Sequence, residues 1–235
     1  MQIDTSAHLR RDVDALAQLA DRAPLDAAVP SCPGWTLRDL LHHVGTIHRW
    51  ATEIVRTGVA HDEPPGSGPQ EAGELSSWLR EGGEALAEVL EATDPDGECW
   101  TLGFPPARAG FWRVRQALET SLHRGDAHLA VGEPWAMPAE LAAVGIDEVV
   151  DFFLPRQIGL GRIEPLADPV DLVATDLSRT WTLPGVQPDA RPAAQLRGTA
   201  PALYLWLWGR SPAEGLEVDG DDAAIEAAAR TALTP

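Results

Sequence analysis

The stretch VPSCPGWTLRDLLHHVGTIHRW, residues 29–50, decides how the chain is read. Cys32-Pro33-Gly34-Trp35 has turn composition. Thr36 then stands as a helix N-cap, with Asp39 three residues on in place of the usual Glu or Gln of a capping box. Leu37, Leu40, Leu41, Val44, Ile47, Ala51, Ile54 and Val55 recur at helical spacing, and Gly58 follows. The spacing predicts an amphipathic helix from about Leu37 to Thr57. His43 and His48 fall within its broad apolar arc, whereas His42 points away and is expected to face solvent. Periodicity does not choose between His43 and His48, and on pattern alone each also fits a core or boundary histidine.

Working outward, Leu9, Val13, Leu16 and Leu19 predict an earlier helix, and Leu75, Leu79, Leu86 and Leu90 predict another over Glu71 to Ala92, with Gly82-Gly83 inside it as a weak point. A Pro- and Gly-rich stretch from His61 to Gln70 reads as a surface loop. Phe111, Val114, Leu118, Leu122 and Leu129 predict a fourth helix, about Arg108 to Val131. Four long amphipathic helices imply a bundle over residues 1–155. Past Pro155, β-type runs at Val170–Thr175, Thr180–Leu183 and Ala194–Gly198 alternate with turn residues. Helices over Pro201–Trp208 and Asp221–Leu233, with a short strand at Leu216–Val218 between them, complete a small α+β domain over 156–235.

Composition narrows the function classes. The 235 residues carry 36 acidic against 18 basic side chains, a formal charge of −18, and such a field repels nucleic-acid phosphates and anionic lipid. All 18 basic residues are Arg, so lysine Schiff-base chemistry and a P-loop lysine are excluded. Two cysteines, Cys32 and Cys99, support neither a disulfide framework nor a zinc ribbon, and Cys32 is expected to be an inert loop thiol. No apolar run is long enough to cross a membrane, and the first residues lack a basic head with an apolar block, so a cytoplasmic location is expected.

On the fourth helix Glu119 and His123 are four apart, which places them within about 40° on one face. Trp112 and Asp126 share that sector. A carboxylate and an imidazole at the rim of an apolar face suit a metal site inside a bundle, although an isolated E-x-x-x-H is more often a solvated polar flank.

Three segments carry a family resemblance: residues 29–50, RVRQALETSLHRGDAHLAVGEP at 113–134, and RGTAPALYLWLWGRSPAEGLEVDGDD at 197–222. Together they resemble the mycothiol-dependent maleylpyruvate isomerase family, a branch of the DinB-like metal-binding four-helix bundles with a C-terminal sterol-carrier-protein-like domain. The resemblance implies a divalent metal, usually zinc, held by His43, Glu119 and His123 with a coordination position left open. It implies mycothiol as the thiol cofactor. It also places on Arg210 a catalytic arginine that holds an anionic substrate group. Asp126 is then either an exposed carboxylate or an outer support for a metal-bound histidine. The family's aromatic residue after His-Arg is replaced by Gly125, which implies a wider pocket. The function so implied is thiol transfer to, or isomerisation of, an electrophilic small molecule. The competing reading is a non-catalytic metal or small-molecule binding protein on the same bundle.

Overall fold

Asp4 starts the first helix by accepting the backbone N–H of Ala7 at 2.9 Å. Helix α1 spans Thr5–Arg22, α2 Leu37–Thr57, α3 Ala72–Ala92 and α4 Gly110–Ala130. The computed structural model describes residues 3–62, 68–187, 189–210 and 215–235. The middle of the predicted loop, 63–67, therefore lies outside the described residues, as do 211–214 of the C-terminal signature. The capping box at α2 is formed in full: Thr36 accepts from the Asp39 N–H, and Asp39 accepts from the Thr36 N–H at 2.8 Å. Gly58 closes α2 in the left-handed region at φ 76°, a conformation that costs glycine nothing.

Around the bundle the helices follow the order α1, α3, α2, α4, with α1 and α2 on one diagonal. Two apolar layers fill it. One gathers Leu16 and Leu19 of α1, Leu40 and Val44 of α2, and Leu75 and Leu79 of α3. The other gathers Val13, Ile54, Leu86, Leu90 and Trp112. The intervening turns of α2 and α4 carry buried polar groups, His48, Gln116 and Thr120. Helix α3 runs unbroken through Gly82 and Gly83, and at Gly83 close packing requires a small residue: a Cβ there would lie 2.7 Å from the Val13 methyls.

By contacts the chain divides into Met1–Ala136 and Met137–Pro235. The sequence reading places the boundary near 155, whereas the second unit already contains α5, Ala139–Glu148, and α6, Leu154–Gly159, joined by a π turn over Val149–Phe153. Pro155 falls in the first turn of α6, where a missing N–H is tolerated, so the proline does not end the helical segment. Helix α5 packs on α7, Ala200–Leu207, with Gly145 close under the Tyr204 ring. The exposed connection at 159–165 joins α6 to the sheet within this unit.

Strands β1 Val170–Ala174, β2 Arg179–Leu183, β3 Ala194–Gly198 and β4 Glu217–Gly220 form one sheet in the order β2-β1-β3-β4. β1 runs antiparallel to β2 and parallel to β3, with Leu172 opposite both Trp181 and Leu196. Alternate residues Val170, Leu172 and Ala174 are buried, the period-two pattern of a sheet with one covered face. α7 and α8, Asp222–Arg230, pack against β1 and β3. The chain is thus an α+β two-domain protein with a four-helix bundle before a small sheet-and-helix domain. Among the described residues no helix is long and apolar enough to cross a membrane.

The glycines of α3 are expected to respond with opposite signs. A Cβ at Gly73 would meet nothing within 4 Å, so Gly73→Ala should raise Tm through helix propensity, by up to about 1 kcal/mol. Gly83→Ala should lower it, because overpacking against Val13 costs about 1–3 kcal/mol and exceeds that gain. Thermal unfolding of the two variants by circular dichroism checks both.

Candidate metal centre

Helix α2 contributes His43, and one face of α4 contributes Glu119 and His123. Glu119 Oε1 lies 3.3 Å from His43 Nε2 and 3.0 Å from His123 Nε2. The three potential ligand atoms all lie within 4.8 Å of one another. The rings of His43 and His123 meet edge to face at 5.1 Å, and the Trp35 ring, from the turn before α2, lies 5.1 Å from that of His43.

The second oxygen of Glu119 is held by a residue the sequence reading missed. Arg115, one turn earlier on α4 and almost fully buried, donates from NH2 to Oε2 at 2.5 Å. Its spacing of four residues from Glu119 was the available signal. Burial alone would raise the Glu119 pKa, but the positive charges of His123 and Arg115, with hydrogen bonds from both imidazoles, hold it well below the usual carboxylate range.

His123 is gripped at both nitrogens. Nδ1 lies 2.9 Å from Asp126 Oδ2 while Nε2 faces Glu119, and a carboxylate only accepts, so the metal-free ring carries two protons. Burial opposes that charge, but Glu119 and Asp126 outweigh it and raise the pKa to about 9. Asp126, only 2% exposed, thereby fixes which edge of His123 faces the triad.

The other two histidines of α2 do other things. His48 Nε2 lies 2.9 Å from Thr120 Oγ1, whose one proton goes to the Gln116 carbonyl at 2.7 Å, so Nε2 carries the hydrogen. Full burial keeps the ring neutral, with its pKa pushed down to about 3. His42 departs from expectation. It is buried rather than solvent-facing, donating from Nε2 to the Pro69 carbonyl at 3.0 Å and meeting the Trp78 ring edge on. The residues that cover it come from α3 and the segment leading into it, which helical periodicity within α2 does not register.

Gly125 does not leave open space. The Trp135 ring fills it, at 2.9 Å from where a Cβ would stand. Trp112, which shares the Glu119 sector by helical angle, lies two turns away in a cluster with Trp50 and Trp100 and donates its Nε1–H to the Trp100 carbonyl at 2.7 Å. Arg210 belongs to the second unit, where NH1 donates to the Trp208 carbonyl just past α7 at 2.9 Å.

Two imidazoles and one carboxylate form the donor set of a three-ligand catalytic zinc site. Bonds of about 2.0–2.1 Å at a tetrahedral angle separate ligand atoms by roughly 3.3 Å, close to the spacings from Glu119 Oε1 to the two ring nitrogens. The residues therefore fit a divalent ion, provided His123 gives up its Nε2 proton.

That proton has a measurable consequence. In the metal-free protein the raised His123 pKa means its charge stabilises the fold fully below the free histidine value of 6.5, and this contribution is lost as pH rises through about 9. Tm of the metal-free protein should therefore fall between pH 7 and 9.5 more steeply than Tm of metal-free His123→Gln. Parallel profiles would show that His123 does not hold the extra proton.

The family model described as the mycothiol maleylpyruvate isomerase N-terminal domain matches residues 6–128, and the MDMPI C-terminal domain matches 140–227. No curated protein matches the sequence. Among solved structures, the crystal structure of the mycothiol-dependent maleylpyruvate isomerase superposes with a TM-score of 0.64 at 14% identity, covering 93% of each chain. A histidine-to-alanine mutant of that enzyme gives 0.63 at 13% identity and the same coverage. At such identity these neighbours establish the fold, while the two matched domains, in order along the chain, establish kinship: the chain belongs to the mycothiol maleylpyruvate isomerase family.

Proposed function

We propose that this chain is a mycothiol-dependent metalloenzyme, with zinc as the metal, that isomerises an electrophilic small molecule carrying a conjugated double bond. The observation that carries the reading is the convergence of His43, Glu119 and His123 within 4.8 Å in a protein of this family. The three would hold the ion through Nε2, a carboxylate oxygen and Nε2. When bound, the ion supplies a Lewis-acid site that favours a thiolate, and the thiol supplies a nucleophile able to add reversibly to the double bond.

The chain's own residues set the conditions. Arg115 ties down Glu119 Oε2, leaving Oε1 between the imidazoles. Asp126 accepts the Nδ1 proton of His123 and so would hold Nε2 toward a bound ion. His43 is the most exposed of the three side chains, at 26%, which supports an approach of thiol and substrate from its side. Arg210 is proposed to pair with a carboxylate of the substrate or thiol, a task for which a planar fork is suited.

Metal content separates the histidines. In a Cys32→Ser background, which removes the half-buried thiol as an alternative ligand, His43→Ala should lose most bound zinc by elemental analysis, whereas His42→Ala and His48→Ala should keep it; zinc retained by His43→Ala in that background would refute the assignment. An isomerase returns its thiol each turnover, so free thiol should stay constant while a conjugated cis substrate is converted. Stoichiometric thiol loss would mark a transferase. Arg210→Lys should leave zinc content unchanged and lower kcat/KM by about tenfold or more, the scale of a lost charge-assisted hydrogen bond. Unchanged kinetics with a lowered Tm would reduce Arg210 to its contact with the Trp208 carbonyl.

A further inference from the structure

His123 has a second face that the proposed function does not use as a ligand. Asp126 Oδ2, which lies 2.9 Å from His123 Nδ1, also lies 3.8 Å from the sulfur of Cys32. Cys32 comes from the turn before α2, is 94 positions away in sequence, and is half-buried, while Asp126 and His123 are buried. One ligand atom from each of Cys32, His123 and Asp126 lies within 4.8 Å of the others, the same convergence as the His43 triad. The two groups share a single imidazole.

We propose that Cys32, Asp126 and the Nδ1 edge of His123 form a second cation site, specific for thiolate-binding divalent ions such as zinc, cobalt or cadmium. A thiolate, a carboxylate and an imidazole are ligands of borderline-soft metals, and magnesium or calcium would be refused by the sulfur and nitrogen. Loading the site forms bonds from the metal to Sγ, Nδ1 and an Asp126 oxygen. It releases the Cys32 thiol proton and the His123 Nδ1 proton to solvent, and no oxidant or reductant is needed. The two negative ligands balance the ion's double charge. With the first triad also filled, His123 bridges the two ions as an imidazolate. The proposal goes beyond the proposed function, because it requires neither catalysis nor an ion at His43.

Cobalt titration of the full-length, reduced protein tests it, since cobalt bound to a thiolate shows an intense near-ultraviolet charge-transfer band that nitrogen and oxygen ligands do not produce. Wild type should develop that band, and Cys32→Ser should lose it while keeping the visible bands of cobalt in the first triad. His43→Ala should retain the charge-transfer band, saturating at one equivalent. Absence of the band in wild type overturns the proposal. So does its survival in Cys32→Ser, which would assign the sulfur to Cys99. Its loss in His43→Ala also overturns it, because Cys32 would then be a fourth ligand of the first ion. Absence of visible cobalt bands in Cys32→Ser would instead count against the His43 triad and leave the second site to be judged by His43→Ala.

Discussion

Glu119 is a carboxylate largely withdrawn from water inside a helical bundle, and the arrangement around it follows from the need to compensate its charge. An unpaired buried carboxylate would take up a proton or unfold its surroundings. Here Arg115 takes one oxygen and two imidazoles approach the other, so the ionised form is the stable one. His123 is in turn charged because Glu119 and Asp126 flank it. In this state a proton occupies the place that a divalent ion would take, and exchanging one for the other keeps a positive centre between the same ligands. The scaffold supports this by separating two apolar layers with a polar stretch, so that α2 and α4 present these side chains from rigid elements.

Features set by local rules were legible in the sequence. The start and stop of α2 rest on Thr36, Asp39 and Gly58, which act within one turn of the backbone. Glu119 and His123 share a helical face whatever surrounds them. Features set by distant chain segments were not legible. His42 looks solvent-facing on a helical wheel, yet Pro69 and Trp78 bury it. Gly125 suggests space until Trp135 fills it. The approach of Cys32 to Asp126 joins a turn before α2 to the end of α4, and no spacing rule connects them. Helices α5 and α6 escaped separate recognition because their sequence is apolar on most sides and contains Pro155, which periodicity and breaker rules read as a boundary.

The four histidines and two cysteines nearest these questions show how environment divides like residues among unlike tasks. His48 is neutral and spent on Thr120, His42 on a backbone carbonyl, and Cys99 is buried with its thiol pKa pushed up. His43 and His123 alone meet a shared carboxylate, and Cys32 alone stands beside a buried acid that is paired to one of them. Kinship to the mycothiol maleylpyruvate isomerase family and the chemistry of the donor set together support the thiol-activating role proposed.

Anomalous diffraction at the zinc edge, from crystals of the full chain loaded with one equivalent of zinc, tests the central claim most directly. The account predicts a single strong peak roughly 2.0–2.2 Å from His43 Nε2, a Glu119 carboxylate oxygen and His123 Nε2. A principal peak on His48 or away from Glu119, or none at the triad with zinc in excess, would contradict it.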